Sequence, residues 1–73
     1  MDIITLQNYQ TYVLATGDIF YSPTNHVHYI LTYALGDNIK VRPVLYGLGN
    51  YGTEISLKRR DLVGMLVIQG GAG

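Results

Sequence analysis

The chain has 73 residues, no cysteine, no tryptophan and a formal net charge of zero. This length fits one small domain and excludes most enzyme scaffolds, which need roughly 100 residues or more per domain. Hydrophobic residues make up 48% of the sequence and charged residues only 14%, against about 25% charged in an ordinary soluble domain. Because so short a chain cannot bury all this apolar surface within one protomer, we expect a homo-oligomer or a permanent partner.

The absence of cysteine excludes disulfides, thiolate metal sites and thiol nucleophiles. Small secreted domains usually need such cross-links, so a reducing, cytoplasmic location is expected. No basic leader precedes an apolar stretch, and no apolar run approaches the roughly 18 residues of a membrane span. The sequence therefore predicts neither secretion nor membrane insertion.

Charge is unevenly distributed along the chain. Residues 1–37 contain three aspartates and no lysine or arginine, whereas residues 38–60 contain all five basic side chains. Overall neutrality argues against non-specific DNA binding, which depends on many phosphate contacts. A local basic patch can still hold one or a few phosphates, and the alternative is a solvated strand face next to a turn.

The first third of the chain permits two interpretations. Apolar side chains recur at helical spacing at Ile3, Leu6, Tyr9 and Val13. Residues 9–15, however, are rich in β-branched and aromatic side chains, which favour a strand, and we predict a strand there. Gly17 and Asp18 then turn the chain into a short strand at residues 19–21, which ends in the turn cluster 22–25.

Two alternating segments, residues 26–35 and 39–46, predict a β-hairpin. A three-residue loop would pair Leu35 with Ile39 and Thr32 with Arg42, which keeps the odd-numbered apolar residues of both strands on one face. A third strand is predicted at residues 53–58, followed at 59–64 by a single tight turn, either a plain turn or one of 3₁₀ type.

The last predicted strand, residues 65–68, has no polar face. Such a strand is typically buried on both sides, either inside a barrel or against a second protomer. Residues 1–69 thus form one predicted domain, and the glycine-rich residues 70–73 form a flexible tail.

The order of turns and strands over residues 17–68 resembles that of small SH3-like β-barrels. The likeness rests on the Gly17 to Asp18 turn, the Gly36 to Asn38 turn and the segment of Arg60, Asp61 and Leu62 before the closing strand. Short single-domain versions occur among bacteriophage and mobile-element proteins. The resemblance implies an all-β, five-stranded barrel with a short 3₁₀ turn before the last strand, and a binding role more often than catalysis. It transfers no functional residue.

Three motifs of the sequence bear on catalysis or cofactor binding: a glycine-rich loop, a pair of histidines and the serines. Residues 47–52 match the dinucleotide pattern G-x-G-x-x-G, but a strand rather than a helix is predicted after them, which favours a hairpin loop. His26 and His28, with Asp18 or Glu54, fall short of a complete metal-ligand set. Neither of the two serines lies in a nucleophile elbow. We therefore predict no enzyme activity, no metal and no cofactor.

The sequence contains seven tyrosines, a residue that combines a rigid apolar face with a polar tip. Tyr29 and Tyr33 share the predicted apolar face and are assigned to the core. Other tyrosines can stack on a ligand while cations take its phosphate, or they can pack at a protomer interface. The predicted ligand-binding residues are Lys40, Arg42, Tyr46, Tyr51, Arg59 and Arg60.

These features suggest a non-enzymatic, homo-oligomeric binding protein. The hypothesis is a phage antagonist of host defence that sequesters a nucleotide or another small anionic ligand, or that blocks a host protein. The alternative is a structural or assembly protein, such as a virion or scaffold component, whose tyrosines and last strand form subunit interfaces.

Overall fold

The computed structural model describes residues 2–45 and 49–69. Within them the chain is mainly β, with a single 3₁₀ turn, η1 (Arg59–Leu62), before the last strand. The strands are β1 (Asp2–Ile3), β2 (Ile19–Ser22), β3 (Val27–Leu35), β4 (Asn38–Pro43), β5 (Ile55–Lys58) and β6 (Leu66–Gln69). The predicted all-β class and the 3₁₀ turn are confirmed.

All the strands belong to one antiparallel sheet in the order β1-β6-β2-β3-β4-β5. The strands β1 and β5 are the two edges, and they do not pair with each other in the described part of the chain. The sheet is therefore open there, and its closure into a five-stranded barrel is not confirmed.

The hairpin of β3 and β4 has a different register from the predicted one. Leu35 pairs with Asn38 across a two-residue turn, and Ile30 rather than Thr32 lies opposite Arg42. The predicted three-residue loop is therefore wrong. The physical reason is Gly36, whose φ of +59° suits the first position of a two-residue type II′ turn.

A β-bulge at Thr32 interrupts this hairpin. Leu31 pairs with Val41 and Tyr33 pairs with Lys40, which leaves Thr32 as the extra residue. Since one extra residue reverses the side-chain alternation, Leu31 faces the core whereas Tyr33 and Leu35 are 41% and 65% exposed. The assignment of Tyr33 to the core is thus wrong.

The core lies on the inner face of the sheet. Phe20 of β2 is fully buried, and the 3₁₀ turn contributes Leu62. The remaining buried members of the cluster are Ile4, Leu31, Ile39, Val41 and Met65. Tyr29 packs against this cluster, as predicted. Because buried residues come from β2, β3, β4 and η1, the core fixes these elements relative to one another.

The predicted strand at residues 9–15 is wrong. Instead, the backbone N–H of Tyr9 donates to the Thr5 carbonyl at 3.0 Å, and that of Tyr12 donates to the Asn8 carbonyl at 2.8 Å. The Asn8 side chain also accepts a hydrogen bond of 2.7 Å from the Thr5 N–H. Tertiary packing of Tyr9 and Tyr12 on the core outweighs the strand propensity of this segment.

The later strands lie close to their predicted places. β5 begins at Ile55 rather than residue 53, and β6 begins at Leu66 rather than residue 65. β6 lies between β1 and β2 in the sheet, and its Ile68 is 42% exposed. Complete burial of the last strand is therefore not observed in the single chain. The predicted tail, residues 70–73, lies outside the described residues.

Candidate functional site

The strand β4 projects two cations from the outer face of the sheet. Its inward residues Ile39 and Val41 are buried, so the alternating Lys40 and Arg42 point to the opposite side. Lys40 is exposed and Arg42 is half-buried. These two predicted site residues therefore share one face.

Each of these cations lies against a tyrosine ring. Lys40 Nζ is 5.5 Å from the centroid of Tyr33, and Arg42 Cζ is 5.7 Å from the centroid of Tyr51. Both distances are within the range of a cation–π attraction, worth about 0.5–1 kcal/mol at exposed sites. Tyr33 reaches Lys40 because the Thr32 bulge turns it outward.

The loop between β4 and β5 holds the second pair in place. Tyr51 forms an isolated antiparallel bridge with Val44. Arg42 Nε donates a 2.8 Å hydrogen bond to the Gly52 carbonyl, and the Gly52 N–H donates at 2.7 Å to the Pro43 carbonyl. The guanidinium is thus oriented by the backbone, while its terminal nitrogens remain available to an anion.

Two open grooves lie near η1, and Tyr33 and Lys40 belong to the lining of the first. The first, here named the hairpin groove, has a volume of about 390 Å³. It is lined by Tyr33, Asn38, Ile39, Lys40, Ser56, Leu57, Lys58 and Asp61. The second, the turn groove, has a volume of about 500 Å³. It is lined by Tyr9, Gln10, Gly36, Asp37, Lys58, Arg59 and Arg60. Both volumes fall in the range of small-molecule sites.

The two arginines of η1 have different environments. Arg59 is half-buried, and its Nε and Nη1 donate to the carbonyls of Gly36 and Tyr12 at 3.0 and 2.7 Å. Arg60 is exposed at the rim of the turn groove. Much of the donor capacity of Arg59 is therefore used within the fold, whereas Arg60 is open to a ligand.

Acidic side chains near the grooves accept hydrogen bonds from neutral donors. Asp61 Oδ2 accepts from the Lys58 backbone N–H at 2.9 Å, and Glu54 Oε2 accepts from the Thr32 hydroxyl at 2.8 Å. The ammonium group of Lys58 donates to Asn38 Oδ1 at 3.2 Å. Lys58 lines both grooves, and its charge lies beside Asn38 of the hairpin groove.

The structure brings the predicted residues together only in part. Lys40, Arg42 and Tyr51 share the outer face, whereas Arg59 and Arg60 line the turn groove. Tyr46 lies outside the described residues. The role of the six predicted residues in ligand binding stays a prediction.

Sequence reasoning missed Lys58, which lines both grooves, and Tyr33, which contacts Lys40. The alternation of the third predicted strand already placed Lys58 on a polar face, which was a usable signal. The outward turn of Tyr33 depends on a bulge that the sequence does not reveal.

The glycine-rich loop and the two histidines are the remaining motifs that the sequence suggested as sites. Residues 49–54 lead into the strand β5, which is the context expected of a hairpin connection rather than a dinucleotide fingerprint. The hydroxyl oxygen of Tyr21 lies 2.8 Å from His26 Nδ1, and the ring centroids of Tyr21 and His28 are 4.7 Å apart. In residues 2–45 and 49–69, no group of three or more His, Cys, Asp or Glu side chains is placed to hold a metal ion.

Comparisons with protein-family models, with curated proteins and with solved structures gave no match. Nothing therefore links the chain to phage or mobile-element proteins, and that expectation stays a prediction. The described residues also include no helix that is long and apolar enough to cross a membrane.

Proposed function

We propose that the protein is a non-enzymatic binding module for small anionic ligands of the nucleotide class. The supporting observation is the pair of neighbouring tyrosine–cation contacts on the outer face of β4, Tyr33 with Lys40 and Tyr51 with Arg42. A tyrosine face can stack on a flat base, while an ammonium or guanidinium group neutralises a phosphate. Each pair thus offers both halves of nucleotide recognition at one place.

The hairpin groove supports the same proposal. Its wall includes the ring of Tyr33 and the ammonium groups of Lys40 and Lys58, and its volume of about 390 Å³ suits a small ligand. Asp61, the acidic member of the wall, is held by the Lys58 backbone N–H. A phosphate would therefore meet two cations and one carboxylate that is already hydrogen-bonded.

A second candidate function is subunit assembly, as in a structural or scaffold protein. It is favoured by the exposure of large apolar side chains in the N-terminal segment, where Leu6 and Val13 are 73% and 86% exposed. In an assembly these side chains would become buried against another copy or a partner. The two candidates differ in what they require of the Lys40 ammonium group, which anion binding needs and the burial of Leu6 and Val13 does not.

Thermal shift measurements on the full chain test the proposal. The panel is inorganic phosphate, mononucleotides, nucleoside triphosphates and cyclic nucleotides. A ligand at 100 times its Kd should stabilise the fold by about 2.7 kcal/mol. Lys40→Ala should reduce this stabilisation, whereas Thr24→Ala, an exposed change in the turn after β2, should not. If no anion shifts the melting temperature, assembly becomes the better explanation.

The biological setting proposed for this module is the one that the sequence suggested. A homo-oligomer that sequesters a nucleotide, encoded by a phage and acting against host defence, or one that blocks a host protein, is compatible with a small binding fold. It rests on composition and on the resemblance to short SH3-like proteins. Mass measurement tests whether the protein forms a homo-oligomer, and ligand screening tests whether it binds a nucleotide.

A further inference from the structure

Three basic side chains lie on the outer face of β4 and β5, and two more follow on η1, where they line the turn groove. The chain has five lysines and arginines in total. Lys40 and Arg42 are two residues apart on β4, and Lys58 on β5 is diagonal to Lys40, because Lys40 pairs with Ser56 and Asn38 pairs with Lys58. The path continues at η1. In order, this basic path consists of Arg42, Lys40, Lys58, Arg59 and Arg60.

The first two steps of the basic path, from Arg42 to Lys40 and from Lys40 to Lys58, follow the sheet. Residues two apart on a strand are separated by about 6.6 Å, and diagonal cross-strand neighbours by about 7–8 Å. Each of these two steps is comparable with the length that one nucleotide covers in an extended single strand. The three strand cations are therefore spaced to meet successive phosphates rather than several oxygens of a single phosphate group.

Two tyrosines accompany the basic path. Tyr51 lies beside Arg42 and Tyr33 beside Lys40. Aromatic rings on which successive bases stack, set along a positive groove, are the usual means of binding single-stranded nucleic acid without sequence preference. An acidic peptide would use the cations but would have no flat group for the rings of Tyr33 and Tyr51.

The two grooves share a lining residue. Lys58 lines both the hairpin groove and the turn groove. A mononucleotide would occupy one groove and leave the cations of the other without a phosphate. An extended strand passing Lys58 would occupy both.

We infer that the ligand of this face is a short single-stranded nucleic acid, of about four nucleotides, that runs along the basic path from Arg42 to Arg60. This inference rests on the proposed function and specifies its ligand. With at most five phosphate contacts, binding should be weak and should depend moderately on salt.

Fluorescence anisotropy with labelled oligothymidylates tests the inference on the full chain. The labelled probes are oligomers of about two, four and eight nucleotides, and thymidine monophosphate is the unlabelled competitor. Affinity should rise at least tenfold from the monophosphate to the tetramer and then change little. For the three or four phosphates of the tetramer, the logarithm of the affinity should fall against the logarithm of salt with a slope of about −2 to −3.

Matched tyrosine variants test the stacking component. Tyr33→Leu and Tyr51→Leu keep an apolar side chain but remove the flat ring, and each should weaken tetramer binding at least fivefold. Tyr21→Leu is the control, because Tyr21 contacts His26 and His28 on β2 and β3 and lies off the basic path. Circular dichroism confirms that each variant is folded before its affinity is compared.

The possible results separate this inference from the proposed function. If the tetramer binds no more tightly than the monophosphate, the extended path is wrong although anion binding stands. If neither binds, both proposals fail. If an oligoglutamate peptide competes as well as the tetramer, or if the Tyr33 and Tyr51 variants bind like the parent, the ligand class is wrong.

Discussion

Arg59 Nη1 donates a 2.7 Å hydrogen bond to the backbone carbonyl of Tyr12, a residue 47 positions earlier in the chain. The Nε of the same guanidinium donates at 3.0 Å to the carbonyl of Gly36 in the turn between β3 and β4. One side chain of η1 therefore joins the N-terminal turns to the central hairpin. Because a guanidinium has donors in a fixed planar arrangement, a lysine could not make both contacts in the same way.

We expect Arg59→Ala to lower the stability of the fold. Loss of two charge-assisted hydrogen bonds, one of them partly buried, should reduce the free energy of unfolding by about 1–2 kcal/mol. For a domain of this size, the melting temperature should fall by about 5–15 °C, as followed by circular dichroism. The exposed neighbour Arg60 provides the control, since Arg60→Ala should change stability by no more than about 0.5 kcal/mol. Equal melting temperatures for the two variants would contradict the role assigned to Arg59.

The contrast between Arg59 and Arg60 shows where sequence reasoning ends. The charges and the following Asp61 and Leu62 were sufficient to predict a tight turn, since turn chemistry is local. Which arginine points inward was not predictable, because it depends on a carbonyl near the start of the chain. The same holds for the site: clustering of cations at residues 40–60 was visible, but the division into two grooves was not.

The strands were predictable for a related reason. Alternation over residues 26–35 and 39–46 reflects a period of two that acts within each strand, so β3 and β4 were found near their true bounds. Their register was not found, because the bulge at Thr32 depends on partners in other strands. The Thr32 hydroxyl oxygen lies 3.0 Å from the Lys40 carbonyl and 2.8 Å from Glu54 Oε2.

Deletion of Thr32 should be tolerated. Without this residue the ladder runs regularly from Leu31 opposite Val41 to Tyr33 opposite Lys40, and every other side chain keeps its face. The expected loss is about 1 kcal/mol, from the hydroxyl contacts alone. Deletion of Ile30 is the control, because Ile30 pairs with both Ile19 and Arg42 and its loss shifts two ladders. In urea denaturation, the Thr32 deletion variant should unfold cooperatively, whereas the Ile30 deletion variant should not. If the Thr32 deletion unfolds the hairpin, Thr32 is not the extra residue of the bulge.

Substitution of Gly52 should disturb both the fold and the Arg42 pair. A Cβ atom at this position would lie 2.7 Å from Cγ of Pro43, too close unless the loop moves. Gly52→Ala should therefore cost about 1–3 kcal/mol, a range typical of overpacking. The exposed Thr53 supplies the neighbouring control, as Thr53→Ala should leave the urea midpoint nearly unchanged. Identical midpoints for the two variants would show that the loop adapts without strain.

Light scattering should give a solution mass that is a multiple of 8.1 kDa. The described chain leaves Leu6 and Val13 largely exposed, and a composition with 14% charged residues offers few polar groups to surround them. Burial against a second copy removes this surface from water at roughly 25 cal/mol per Å². The double variant Leu6→Glu and Val13→Glu should dissociate the assembly without unfolding the protomer, since neither side chain contributes to the core. Leu45→Glu is the control, because Leu45 is also exposed but follows β4, at the end of the hairpin opposite the Gly36 turn that lies near this segment. A parent mass of 8.1 kDa at micromolar concentration would rule out self-association, whereas an unchanged mass in the double variant would place the interface on another surface.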